Sequence, residues 1–512
     1  MRSGHNLCSR VQTGTGIAAR WLGPAWSAAR RAAGRALRSR WLRVGSLALI
    51  FLLTVGGADY ERYLASSNRP LEAYPVLSLE GYHRLLVFAP HCDDEALGAG
   101  GLIQAALRQG MHVHVAIVTA GDGYRNAAMA EFRRPVLRPE DYVTLAERRQ
   151  QESLNALAIL GLDADDVTFL AYPERGLAAL WWDHWSSAFP YRSPYTRRER
   201  IEYPRAFRPD APYSGEALLD TLRAVLAIER PDLIVLPHPN DLHPDHAALS
   251  AFVLLAVEME KAADPDFHPQ LLGYLIHYGA LYPQPYGLRP GASLRPPRRL
   301  ENIGEWYVWR LSPEELSVKR KAVAAYTSQQ RILSPYLNSF VRQNELYMAI
   351  DDVIPLGILE TDSFPEADGA PPVMDDSSLP GRLDPASDSL LRRARSGGDI
   401  TGLRVARLGN TVWVALDLRG HASRAYEYDL YVRVFTPQST TTWHGRYGRT
   451  STEGITAHGH TVWYRLDLDE LGHPDLLALM AETRQRIVLD RTAWYFIRLE
   501  ENPLEQIGFS SP

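Results

Sequence analysis

The chain has 512 residues, enough for two domains and a linker, and its 46% hydrophobic and 22% charged content is that of a globular protein, which excludes a disordered chain. Net charge is -5, but residues 1–43 hold nine arginines and no acid, so the remainder carries -14 and a nucleic-acid-binding body is excluded. Only two cysteines, Cys8 and Cys92, are present, which excludes a disulfide framework.

The basic stretch 1–43 precedes an uncharged apolar run, Val44–Ala58. That run is short against the roughly 20 residues of a spanning helix. Arg43 and Trp41 suit the interface position before an anchor, while Gly56 and Ala58 suit a cleavage site. The reading adopted is an uncleaved membrane anchor, ahead of a cleaved signal or a buried helix. The arginines then put 1–43 in the cytoplasm and the body outside, with secretion after cleavage as the alternative.

Leu85–Ala89 reads as a buried strand, followed at once by His91-Cys92-Asp93-Asp94-Glu95 and by helical periodicity over Ala96–Arg108. A turn between a strand and a helix sits at the carboxyl edge of a parallel sheet, where α/β folds bind ligands. Like charges packed this closely repel, and a divalent cation offsets them. His91 and Asp94 offer the nitrogen and oxygen ligands that suit zinc. Val113–Thr119 is a second strand, and Thr144–Leu160 an amphipathic helix carrying Arg149. Val167–Ala171 is a third strand, delivering Glu174 and Arg175. Trp181–Tyr213 mixes aromatics and arginines without a period, and reads either as a lid that stacks on sugars or as a covering loop packed on the core.

Pro231–Pro237 is another buried strand, followed by His238-Pro239-Asn240-Asp241-Leu242-His243-Pro244-Asp245-His246 and a helix over Ala247–Glu260. His243 and His246 are three apart and share a helix face. If both strands belong to one sheet, His246 completes a His/Asp/His set with His91 and Asp94, and three protein ligands with an open position is the catalytic zinc pattern. A strand over Leu272–His277 follows, then a helix from Ser312, as cap, to about Ser328. Residues 360–389 read as a linker. From 400 to 500 the period becomes two, as in Val412, Val414, Leu416 and Leu418, which indicates an antiparallel β-sandwich over 395–512. Trp413 and Trp463 fall on the polar faces of their strands, and are read as packing against the first domain in preference to binding sugar.

His91-Cys92-Asp93-Asp94-Glu95 resembles the HPDDE motif of the LmbE-like (PIG-L) family of zinc-dependent N-acetylglucosaminyl deacetylases, and His243-Pro244-Asp245-His246 its HPDH motif. Arg149 and Glu152 are similar to its RxxE helix, Tyr172–Leu177 to its YPDxGL loop, and Lys321–Gln329 to a late helix ending in SQ. Cys92 and Glu174 depart from the family's proline and aspartate. Cys92 is read as filling space behind the turn.

The resemblance implies a Rossmann-like, doubly wound, mostly parallel sheet over residues 80–358, ahead of the sandwich. It implies Zn²⁺ held by His91, Asp94 and His246, with Asp93 as general base. His243, if protonated, would stabilise the oxyanion, and Glu95 would support the site. Arg149, Glu174 and Arg175 would contact an N-acetylated sugar or order the site, and on the lid reading of 181–213 Trp182 and Trp185 would contact it too. The expected reaction is removal of an N-acetyl group from an N-acetylglucosamine-containing glycan or glycoconjugate. The alternatives are an amidase for a thiol-sugar conjugate and a non-catalytic carbohydrate-binding surface protein.

Overall fold

The computed structural model describes residues 68–279, 282–351, 353, 354, 356–358, 381–383, 395–436 and 439–499. The basic stretch 1–43, the run Val44–Ala58 and all but 381–383 of the linker lie outside the described residues. Among the described residues no helix is long and apolar enough to cross a membrane.

The first part is an α/β layer structure. Its strands are β1 (Arg84–Ala89), β2 (His112–Thr119), β3 (Val167–Tyr172), β4 (Leu233–Pro237), β5 (Gln270–Tyr274), β6 (Trp306–Arg310) and β7 (Asn344–Ala349), in the order β3-β2-β1-β4-β5-β7-β6. The first five are parallel, and β7 and β6 close the edge antiparallel. The helices are α1 (Asp94–Arg108), α2 (Arg125–Phe132), α3 (Pro139–Leu160), α4 (Leu177–Trp182), α5 (Gly215–Glu229), α6 (Pro244–Ala263), α7 (Pro313–Ala325) and α8 (Thr327–Leu337). The chain lays β1, β2 and β3 outward in one direction, then returns to the other flank of β1 with β4. That reversal opens a crevice at the carboxyl ends of β1 and β4, the place where such sheets bind ligands.

Both faces of the sheet are covered, which is why β1 and β4 read as nearly continuous apolar runs. Leu85, Val87 and Ala89 join the core with Leu102, Leu157 and Val323, while Leu86 and Phe88 join the opposite core with Leu222, Val225 and Phe252. Helix α1 approaches β5 closely. A methyl group at Gly98 would lie 2.6 Å from the ring of Tyr274, whose hydroxyl donates to the Phe88 carbonyl at 2.9 Å.

Element ends differ from the sequence pattern where polar groups set them. Helix α1 begins at Asp94, two residues before the apolar periodicity, because its first turn favours acids. Helix α3 begins at Pro139, where the Asp141 carboxylate accepts the Arg138 N–H at 2.7 Å. The helix expected to reach Ser328 stops at Ala325, and α8 starts after Tyr326. Strand β5 ends at Tyr274, three residues early, since the N–H groups of Ile276 and His277 turn to Asp241.

The second part is a β-sandwich. One sheet runs β14 (Ile455–His458), β15 (Thr461–Asp467), β11 (Thr411–Leu418), β10 (Ile400–Leu408) and β8 (Gly357–Ile358), with β9 (Gly381–Leu383) also on β10. The other runs β13 (Thr440–Tyr447), β12 (Glu427–Phe435), β16 (Leu476–Arg484) and β17 (Val488–Arg491), with β18 (Tyr495–Arg498) on β16. Their inward residues, among them Val412, Val414, Leu416, Leu430, Val432 and Leu479, form one core. Because β8 pairs with β10, Gly357 and Ile358 belong to the sandwich sheet rather than to the unit expected over 80–358.

The two parts meet on the outer face of the β12–β16 sheet. Leu476, Ala478 and Phe496 share a core with Trp181 and Phe252. The Trp182 ring lies 5.2 Å from Tyr431 and 5.1 Å from Trp494, and Trp185 stacks on Phe252 at 5.9 Å and meets Phe435 at 5.9 Å. This corrects the expectation that Trp182 and Trp185 contact substrate: the outer sheet face needs apolar cover, and their rings supply it. Among the described residues Trp413 and Trp463 lie away from that junction, clustered with Ala415 on the other sheet.

Replacing Gly98 by alanine should destabilise the fold by about 1–3 kcal/mol through overpacking against Tyr274. At Gly291, where an added methyl meets nothing within 4 Å, the same change should be nearly neutral. Urea-unfolding midpoints of the two variants check the contrast.

Candidate metal centre

The crevice is built by loops at the ends of β1, β4, β5, β2 and β3. After β1 the Pro90 carbonyl accepts both the N–H and the hydroxyl of Thr119, at 3.0 and 2.7 Å, which pins the turn to β2. The next residues, His91, Asp93 and Asp94, are all buried. His243 caps the start of α6 and puts His246 one turn inside it.

Three donor atoms converge there. His91 Nδ1 and His246 Nε2 each lie 3.1 Å from Asp94 Oδ2, and 3.3 Å from each other. Tetrahedral bonds of about 2.0–2.2 Å would set ligand atoms roughly 3.3–3.6 Å apart. The three observed separations approach that spacing, so two imidazoles and a carboxylate fit a divalent cation with a position left open.

Each imidazole is held from behind by a carboxylate. Asp245 Oδ2 lies 3.1 Å from His91 Nε2, and Asp241 Oδ2 lies 3.2 Å from His246 Nδ1. Backbone N–H groups fix both acids. Asp245 accepts from Arg175 and Leu177 at 2.6 and 3.1 Å, and Asp241 from His243, Ile276 and His277 at 2.9, 3.1 and 2.9 Å. Such partners orient a ligating imidazole and raise its basicity.

The charges respond accordingly. Burial opposes an imidazolium at His246, but Asp241 and Asp94 outweigh it and carry the pKa to about 9. At His91 burial is likewise outweighed, by Asp245 and Asp94, and the pKa rises well above its usual value. Asp94 is pushed the other way: burial would raise it, but His246 and His91 hold it well below the carboxylate range. Asp93 is raised by burial and by the adjacent Asp94. Its neighbour Glu95 is buried, which moves it up to about 7 despite a 2.7 Å hydrogen bond from Tyr326.

His243 shifts the other way from His91 and His246. Burial, then the positive charge of His91 and His246, takes it down to about 2. Its Nδ1 accepts the Asp245 N–H at 3.3 Å, so its proton sits on Nε2. In that form His243 offers an N–H donor from Nε2, where the expected role was that of an imidazolium. Arg149 and Glu174 pair with each other at 2.7 Å, both buried, and Glu174 also accepts the Gly123 N–H at 2.9 Å. Both residues order the loops after β2 and β3. Arg175 gives its backbone N–H to Asp245 while its side chain is exposed. Cys92 is buried, which pushes its thiol pKa up, and among the described residues it joins no donor cluster.

The sequence reading missed His277. Its ring nitrogen groups with the donors of His91, Asp94 and His246, all within 4.8 Å of one another. The available signal was its place just after β5, the strand next to β4, at the same sheet edge. The supporting roles of Asp241 and Asp245 were also missed, since both lie inside the second motif beside more conspicuous histidines.

Residues 86–257 match the family described as PIG-L: GlcNAc-PI de-N-acetylase. A 1D-myo-inositol 2-acetamido-2-deoxy-alpha-D-glucopyranoside deacetylase of Corynebacterium urealyticum is 28% identical over 254 residues, 48% of this chain and 70% of that protein. A probable N-acetyl-alpha-D-glucosaminyl L-malate deacetylase 2 of Bacillus subtilis is 26% identical over 181 residues, 35% of this chain and 63% of its own length. Among solved structures, the N,N'-diacetylchitobiose deacetylase from Pyrococcus horikoshii aligns over 58% of this chain and 93% of its own with 16% identity and a TM-score of 0.35.

Since protons occupy His246 up to about pH 9 in the ion-free centre, a cation must displace at least one of them. Divalent-cation affinity should therefore rise with pH between 6 and 8, by roughly tenfold per unit for each proton displaced. Chelator competition across that range, with the released protons counted in weak buffer, checks the sign and the slope.

Proposed function

Residues 86–257 form a PIG-L (LmbE-like) domain, and from that premise we propose that the chain is a zinc-dependent deacetylase of N-acetylglucosamine-containing glycans or glycoconjugates. The observation that carries the reading is the convergence of His91 Nδ1, Asp94 Oδ2 and His246 Nε2 beside a second buried carboxylate, Asp93. Those three residues would hold the ion, and two nitrogens with one oxygen suit zinc. Bound there, zinc supplies Lewis acidity, lowering the pKa of a water and polarising the acetamide carbonyl.

Asp93 accepts the proton of the attacking water. Its raised pKa makes it a better base than an exposed aspartate, and it is not one of the three converging donors. His243 offers Nε2–H to the oxygen on which negative charge develops. The new C–O bond forms first and puts the charge on that oxygen; as the carbonyl re-forms, the C–N bond breaks and the proton held by Asp93 passes to the leaving amine. Acetate and a free amino sugar result. The Arg149–Glu174 pair keeps the neighbouring loops in register and places a cation near Asp93. The two curated relatives described above carry names of small N-acetylglucosaminyl conjugates, of inositol and of malate, and a conjugate of that size is the acceptor class proposed first. We further propose that Val44–Ala58 anchors the chain with its catalytic part outside the cytoplasm.

Asp93→Asn should keep zinc at wild-type stoichiometry and lose most turnover, by about 10²–10⁴-fold for a deleted base. Acetate release from a panel of N-acetylated conjugates and glycans, beside metal analysis, is the measurement. Wild-type turnover in the variant would reject Asp93 as the base. Absence of acetate from every substrate by the zinc-loaded wild type would favour a carbohydrate-binding protein instead.

A further inference from the structure

Nothing so far gives the β-sandwich a task, yet it buries a residue that is costly to bury. Arg433 on β12 is 3% exposed. No carboxylate offsets this among the described residues, and burial alone pulls its pKa down to about 10. Its Nε finds no hydrogen-bond partner. A buried cation without a counter-charge is expensive unless other groups compensate. Here the guanidinium lies over the rings of Trp185 and Trp181, at 4.1 and 5.1 Å, and donates from Nη1 to the Trp181 carbonyl.

That carbonyl lies in the last turn of α4, where a cation is favoured. At the other end of the same short helix, the Leu177 N–H donates to Asp245 Oδ1 at 3.1 Å, beside the Arg175 N–H on Oδ2 at 2.6 Å. Asp245 in turn holds His91 Nε2 at 3.1 Å. A continuous chain of contacts thus runs from the sandwich, through one six-residue helix, to a ligand of the centre. A second arginine of the sandwich grips the helix that carries Asp245 and His246. Arg498 Nη2 on β18 donates to Glu258 Oε2 at 2.7 Å and to the Glu258 carbonyl at 2.9 Å, near the far end of α6.

We propose that the β-sandwich is a positioning domain for the metal centre, in which Arg433 fixes α4 and, through the two N–H groups at its start, the Asp245–His91 hydrogen bond. The inference rests on the metal reading of the site. The contacts of Arg433 are with Trp181 and Trp185 and not with the donor atoms of the centre. It acts by keeping Asp245 fully hydrogen-bonded, so that the carboxylate, and hence the His91 ring, has one orientation. An alternative is that Arg433 only glues two surfaces together, in which case its loss lowers stability and leaves the centre unchanged.

A double-mutant cycle separates these. The full chain is prepared as wild type, R433M, D245N and the double variant, and R433K is added as the conservative replacement. Zinc affinity is read by competition with a chromogenic chelator, and folding by thermal melts. R433M should weaken zinc binding by about tenfold, as loss of an outer partner of a ligand does. In the D245N background the same change should cost less than about twofold, because the residue through which it acts is already gone. R433K, which keeps the cation over the indoles, should restore most of the affinity. A lower melting temperature with wild-type zinc affinity would overturn the proposal, and so would a loss that adds in full to that of D245N. Should R433M fail to fold, R433Q carries the same comparison. A wild type that binds no zinc would reject the metal reading itself, a result distinct from unequal affinities among zinc-binding variants.

Discussion

One carboxylate oxygen organises the crevice. Asp94 Oδ2 faces His91 Nδ1 and His246 Nε2 at 3.1 Å each and accepts the His91 backbone N–H at 3.0 Å. Such a cluster is stable in a low-dielectric interior only if its remaining charges are satisfied. Asp241 and Asp245 meet that condition with five backbone N–H groups between them, besides the two imidazoles. Asp93 differs. Its own N–H turns to Glu95 at 3.0 Å, and its carboxylate is pushed up where that of Asp94 is pushed down. Two adjacent carboxylates driven apart in this way have separate tasks, one to stay ionised and one to take a proton.

The scaffold makes this convergence possible because residues 91 and 246 come from strands that are neighbours in space and far apart in sequence. β1 and β4 pair in register from Leu85 with Leu233 to Val87 with Val235, so their ends emerge side by side. Helix α6 then starts at the crevice, with Pro244 in its first turn and His243 as its cap. The cap geometry does two things at once. It closes the helix start, and it fixes the tautomer of His243 with the proton on Nε2.

Much of this was legible in the sequence. The apolar runs at Leu85–Ala89 and Pro231–Pro237 located two adjacent central strands, and the polar clusters directly after them supplied the donors. The alternating stretches after residue 400 located the sandwich strands. What escaped has a physical reason in each case. His277 lies three residues past the end of β5, and tertiary hydrogen bonds with Asp241 and Leu242 bring its backbone to the crevice. The ends of α1 and α3 are set by proline and acidic residues that carry no apolar period. Trp182 and Trp185 have the composition of a sugar platform, and composition cannot tell a sugar ring from the side chains of a second domain. The structure settles it with Tyr431, Trp494 and Phe435.

With those indoles committed to the junction, Arg175 becomes the notable group on the loop beside the centre. Its backbone sits at φ +64°, a left-handed conformation that costs a non-glycine residue about 1 kcal/mol or more. The conformation accompanies an N–H directed at Asp245, and a glycine would provide that N–H with less strain; Gly176 follows immediately. What arginine adds at this position is an exposed cation, on the same residue whose backbone holds the carboxylate behind His91. Backbone and side chain of one residue therefore face two ways, the first inward to the ligand set and the second outward to solvent. A neutral replacement would leave the inward hydrogen bond in place and remove only the outward charge.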